Sequence, residues 1–115
     1  MGKFIIRKTA TGFVFDLRAA NGEVVAVSEV YGTAAACEKG IRGIIKCAPT
    51  APVADLTEET TLPSNPRYEI FSDKSGGFRF RLRARNGKII ASSQSYSSHS
   101  ACISGVDSVR RNAQE

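Results

Sequence analysis

The stretch "GFRFRLRARNGKII", residues 77–90, decides the fold. Phe78, Phe80, Leu82 and Ala84 alternate with Arg79, Arg81, Arg83 and Arg85, the period-two pattern of a strand with one packed and one wet face. Asn86-Gly87 follows, and this dipeptide predicts a hairpin closed by a type I′ turn, whose two central residues both take positive φ. That turn sets Arg85 opposite Lys88, Ala84 opposite Ile89, Arg83 opposite Ile90, Leu82 opposite Ala91 and Arg81 opposite Ser92. Phe78, Phe80, Leu82, Ala84, Ile89 and Ala91 then form a core face. The other face carries the arginines, Lys88, Ile90 and Ser92.

The same text occurs earlier in the chain. Residues 12–48, "GFVFDLRAANGEVVAVSEVYGTAAACEKGIRGIIKCA", align without a gap to residues 77–113, and about 40% of the positions are identical. Phe4-Ile5-Ile6 matches Tyr68-Glu69-Ile70 after a one-residue slip. Each copy reads as a short strand (about Lys3–Lys8 and Arg67–Ser72), a turn, an alternating strand, Asn-Gly, a third strand and a helix. In the helices Cys37, Ile41 and Ile44 share a face, as do Cys102, Val106 and Val109. Thr33 and Ser98 are the expected N-caps, and Ala48-Pro49 ends the first helix. A copy of about 50 residues is at the lower limit of what folds alone, so a shared core is expected. The prediction is a single compact domain over residues 1–115, with repeat one at 1–48 and repeat two at 67–115. Residues 49–66 form a Pro-rich acidic linker, in which Val53–Thr61 could pair briefly as an edge strand.

The bulk numbers limit the function classes. The chain has 115 residues and is 42% apolar, with no run of roughly 18 apolar residues that would span a membrane. The opening "MGKFIIRKTA" has no signal-peptide pattern. Cys37, Cys47 and Cys102 contain no CxxC pair, which points to a reducing, cytoplasmic setting and to no cofactor or metal. The net charge is +5, and its excess lies in repeat two.

Two surfaces are candidates for binding. Arg79, Arg81, Arg83, Arg85 and Lys88 could hold a polyanion through phosphate contacts, weakly and without sequence preference, because no aromatic side chain shares their face. The plainer reading is the solvated side of a strand. Repeat one has Val14, Asp16, Arg18 and Ala20 at the arginine positions, with Val25 and Val27 across from them. Val14, Val25 and Val27 on an outer face suggest a protein-interaction surface, or simply β-propensity. Cys37 and Cys102 read as packing residues, with Gly40 and Gly105 allowing close helix approach. His99 has no second ligand in view, Tyr31 and Tyr96 are expected over the first helical turns, and the carboxylates, Glu58 and Glu59 among them, show no repeated pairing.

The combined pattern "GFxFxLxAxNGxxxAxSxxY" followed by "ACxxG[IV]" resembles the YegP-like family, small bacterial proteins of unknown function that often carry the motif in tandem. The resemblance implies an α+β fold: two tandem βββα repeats sharing one antiparallel sheet, both helices on one face. It supplies no catalytic or binding residues. The expected function is a non-enzymatic binding or scaffold domain for a protein or small ligand, monomeric with pseudo-two-fold symmetry, with weak nucleic-acid binding as the alternative.

Overall fold

The computed structural model describes residues 2–58 and 61–114. Its elements are Lys3–Lys8 (β1), Phe13–Arg18 (β2), Val24–Ser28 (β3), Ala34–Cys47 (α1), Val53–Asp55 (β4), Arg67–Ser72 (β5), Phe78–Arg83 (β6), Ile89–Ser92 (β7) and His99–Asn112 (α2). The strands form one sheet in the order β1-β2-β3-β7-β6-β5-β4. The two repeats meet where β3 runs antiparallel to β7, and Val27 pairs there with Ser92, its own counterpart in the second copy. The pseudo-two-fold axis therefore passes through that pair.

The sheet is mixed rather than wholly antiparallel. Within the linker, Val53–Asp55 lies parallel to β5, pairing with Tyr68, Glu69 and Ile70. The rest of the stretch read as a possible strand includes Glu59 and Thr60, which lie outside the described residues.

Both helices are capped as their sequences require. The Thr33 and Ser98 hydroxyls accept hydrogen bonds from the Ala36 and Ala101 amides, each at 3.1 Å. Each helix then covers the junction as well as its own repeat: α1 reaches β7, and α2 reaches β3. A single buried cluster results, with Phe15, Leu17, Cys37 and Ile44 from one copy and Phe80, Leu82, Cys102, Val106 and Val109 from the other.

The Asn-Gly turns differ from expectation. Only Gly22 and Gly87 take positive φ there, at 86° and 84°, while Asn21 and Asn86 do not. Gly87 N–H donates to the Ala84 carbonyl at 2.9 Å, and Ala84 N–H donates to Lys88 O at 2.8 Å. This is a type I turn ending in a glycine bulge. Each asparagine instead accepts from the amide two residues on, Glu23 or Lys88, at 3.0 Å. Arg83 consequently faces Ile89, while Leu82 faces Ala91 and Arg81 faces Ser92 as expected. One extra residue per copy, Val25 or Ile90, is displaced from the outer face into the core.

The repeated tyrosines and helical glycines pack against each other. The Tyr31 ring stacks on Phe15 at 6.4 Å and the Tyr96 ring on Phe80 at 6.3 Å, both at 17°. Their hydroxyl ends lie where a Cβ at Gly40 or Gly105 would stand. The tyrosines thus dock on the second helical turn, not the first. Ser28 and Ser93, buried at equivalent positions, accept from the Phe15 and Phe80 amides at 2.8 and 2.9 Å and donate to the Glu29 and Gln94 carbonyls.

Alanine normally stabilises a helix interior over glycine by about 1 kcal/mol. Gly40→Ala should instead destabilise by about 1–3 kcal/mol, through overpacking against Tyr31. In denaturant titrations Tyr31→Leu should absorb much of that cost, so the double variant is less destabilised than the two singles together.

Candidate functional site

On the outer face of repeat two, register β5–β6 sets Arg67 opposite Arg83 and Glu69 opposite Arg81. Three guanidinium groups converge on the one carboxylate. Arg81 Nε and Arg83 Nε donate to Glu69 Oε1 at 2.6 and 2.7 Å, and Arg67 Nε donates to Oε2 at 2.9 Å. The Glu69 side chain is only 3% exposed. Burial pushes its carboxyl up, and the bonds from Arg81, Arg83 and Arg67 more than reverse this, leaving it at about 2. Contrary to expectation an aromatic ring shares this face, since Arg81 lies over Phe71 at 4.5 Å, and Arg83 donates to the Gly87 carbonyl at 2.8 Å.

The remaining members of the predicted basic row divide. Arg79 pairs with Asp73 at 3.3 Å. Hydrogen bonds from Ser95, Ser75 and the Gly77 amide hold the Asp73 carboxyl well below the usual range. Arg85 and Lys88 are exposed near the hairpin tip, and no ion pair among the described residues engages them.

Repeat one solves the same problem with the charges exchanged between strands. Its buried outer carboxylate is Asp16 on β2, which accepts from Arg7 Nε and Nη2 at 2.8 and 3.0 Å, with Arg18 at 3.8 Å. The outer valines are therefore not a continuous exposed patch. Val25 lies in the core, Val14 is buried, and Val27 is half-buried. Val27 and Arg79 do come together, along with Val24 and Ser92, in a cleft of about 420 Å³ over the β3–β7 junction.

A larger depression lies on the helix side, between α1 and the β6–β7 hairpin, with a volume of about 810 Å³. Val30, Tyr31, Ile89 and Ile90 supply its apolar lining, Gly40 and Gly43 bring the helix backbone to its surface, and Lys39, Lys88 and Glu29 supply charge.

No stretch of the sequence points to this groove, because its walls come from different repeats. Glu69 was also missed, although the outward alternation Arg67, Glu69 opposite Arg81 and Arg83 is visible once the first hairpin of the copy is aligned. His99 is half-buried. Its Nε2 lies 2.6 Å from Asp55 Oδ2 and its ring packs edge-on to Phe78 at 5.7 Å, tying α2 to β4. All three thiols are free. Burial pushes each of them up, Cys102 to about 11. Among the described residues no group of three His, Cys, Asp or Glu side chains could hold a metal ion, and no helix is long and apolar enough to cross a membrane.

Two βββα units on one seven-stranded sheet, each hiding a carboxylate under arginines, define the class: a tandem-repeat α+β protein. A family model described as "Domain of unknown function (DUF1508)" matches residues 9–55 and 73–115, one match in each repeat. The chain belongs to this DUF1508/UPF0339 family. The UPF0339 protein YegP of Yersinia pestis is 31% identical over 113 residues, spanning 97% of this chain and 88% of its own. A UPF0339 protein of Treponema denticola is 51% identical over 49 residues, 43% of this chain and 84% of its own, and is thus about one repeat long. The solution NMR structure of YegP from E. coli, a protein of unknown function, matches with a TM-score of 0.81 at 32% identity, covering 99% of this chain and 87% of that one.

Glu69 gives a pH prediction. Its folded value is depressed from 4.5 to about 2, so its contribution is complete above 4.5 and is lost as pH falls toward 2. Glu69→Gln should cost about 2–3 kcal/mol at pH 7. Urea titrations at pH 7 and pH 3 should show the wild type losing more stability between them than the variant does.

Proposed function

We propose that the chain is a non-enzymatic binding domain that takes its ligand in the groove between α1 and the β6–β7 hairpin. The observation that carries this reading is that groove, about 810 Å³ and walled by both repeats. Ligand sites are typically concave and mostly apolar, with few placed polar groups. Here Tyr31, Ile89 and Ile90 would accept an apolar body, and Lys39 and Lys88, which no ion pair among the described residues engages, would accept an anionic group. The twin positions across the pseudo-axis are Ser104 and Glu23, so the lysines distinguish this groove from its counterpart. The buried thiols, raised in pKa, support a binding role over nucleophilic chemistry. Free thiols also suit a cytoplasmic monomer.

Weak polyanion binding is the second reading, favoured by exposed Arg85 and Lys88 at the hairpin. It predicts retardation of nucleic acid at low salt that vanishes at physiological salt and on replacing Arg85 and Lys88, which hold no buried carboxylate, with Ser or Thr.

An amide NMR screen with aryl carboxylates tests the groove. Binders should shift Tyr31, Gly40, Gly43 and Ile89, and Lys39→Glu with Lys88→Glu should weaken them about tenfold. Shifts scattered over the surface, or unchanged in the double variant, would remove the assignment.

A further inference from the structure

The two outer edges of the sheet are equivalent by sequence and differ in what lies against them. On β5 the edge is covered by β4. Tyr68 N–H donates to the Pro52 carbonyl at 2.8 Å, and Leu56 N–H donates to the Ile70 carbonyl at 2.8 Å. Tyr68 and Ile70 are the counterparts of Phe4 and Ile6 on β1. Backbone groups alternate in direction along an antiparallel strand, and Thr9 N–H bonds inward to the Gly12 carbonyl. Phe4, Ile6 and Lys8 therefore turn their N–H and C=O groups toward the outer edge of β1, where no strand of the described residues pairs.

We propose that this edge of β1 is a docking site for an extended acidic segment of a partner protein, added parallel to β1 as β4 is added to β5. Strand addition at a free edge gives affinity through main-chain bonds and specificity through side chains. The charges select the occupant. Lys3 and Lys8 are exposed and enter no ion pair among the described residues, while Arg7 is held by Asp16. A second copy is a poor occupant: residues 3–8, KFIIRK, carry three basic side chains and no acidic one, so pairing two such edges in either direction brings like charges together. The lysines that keep copies apart, a common edge defence, favour a strand bearing carboxylates. The linker shows the pattern that fits, since Val53-Ala54-Asp55 places a small residue opposite Glu69 and an acid at its end. This surface is independent of the helix-side groove.

The test is an amide NMR titration of the whole 115-residue protein with the acetylated, amidated hexapeptide EVADLE. Residues 3–8 should shift and gain exchange protection, residues 67–72 should not, and the binding should weaken with salt. Lys3→Glu with Lys8→Glu should weaken it about fivefold, and Lys3→Gln by less. Absence of shifts at 3–8, equal binding of the lysine analogue KVAKLK, or insensitivity to both variants would overturn the proposal. So would shifts at 3–8 that follow protein concentration without peptide, which would make a second copy the occupant.

Discussion

The junction between β3 and β7 is the constraint on which the rest of the molecule depends, because neither half closes its interior without crossing it. The strand pairing itself is short, Val27 with Ser92 and Ser28 with Ala91. What secures it is the helices, each lying over its own repeat and onto the neighbouring one. The core is continuous across the axis, and burial of apolar area in that shared volume is the main stabilising force. Within each half, a tyrosine between a phenylalanine ring and a helical glycine fixes how closely the helix sits. A serine hydroxyl pins the second strand to the third.

The outer face follows a different logic. Strands that alternate apolar and charged residues leave their charged row to be satisfied in the sheet plane, and both copies do so with one buried carboxylate per half. Repeat two places it on the first strand, under Arg81 and Arg83 from the second and Arg67 from its own; repeat one places it on the second strand, under Arg7 from the first and Arg18 from its own. The same electrostatic requirement is thus met by acids at non-equivalent positions, with Arg18 and Arg83 the shared member of the two clusters. Breaking the repeat-two cluster by removing its acid leaves three half-buried cations side by side without a counter-charge, which is costly whatever the net worth of the intact cluster.

Much of the architecture was legible because it is local and stated twice. Alternation, the Asn-Gly pairs and the Thr33 and Ser98 caps each depend on a few neighbouring residues, and the second copy serves as a check on the first. The turn type was not legible: Asn-Gly suits both a two-residue type I′ turn and a type I turn with a glycine bulge. That ambiguity moved Val25 and Ile90 from the outside to the core. The partners of Glu69, Asp16 and Asp55 were hidden for another reason. Arg81 and Arg83 reach Glu69, and Arg7 reaches Asp16, from a neighbouring strand, and the His99–Asp55 contact spans 44 positions of sequence. The helix-side groove lies between surfaces brought together only by the pseudo-two-fold arrangement.

Joining the two copies through residues 49–66 has a consequence for dilution. Two separate units meeting over so short a pairing would come apart as their concentration fell. A short covalent connection holds them at an effective concentration on the order of millimolar. The covalent link therefore makes the paired state insensitive to how much protein is present. It also frees each half from having to match itself, so one copy can gather arginines while the other does not.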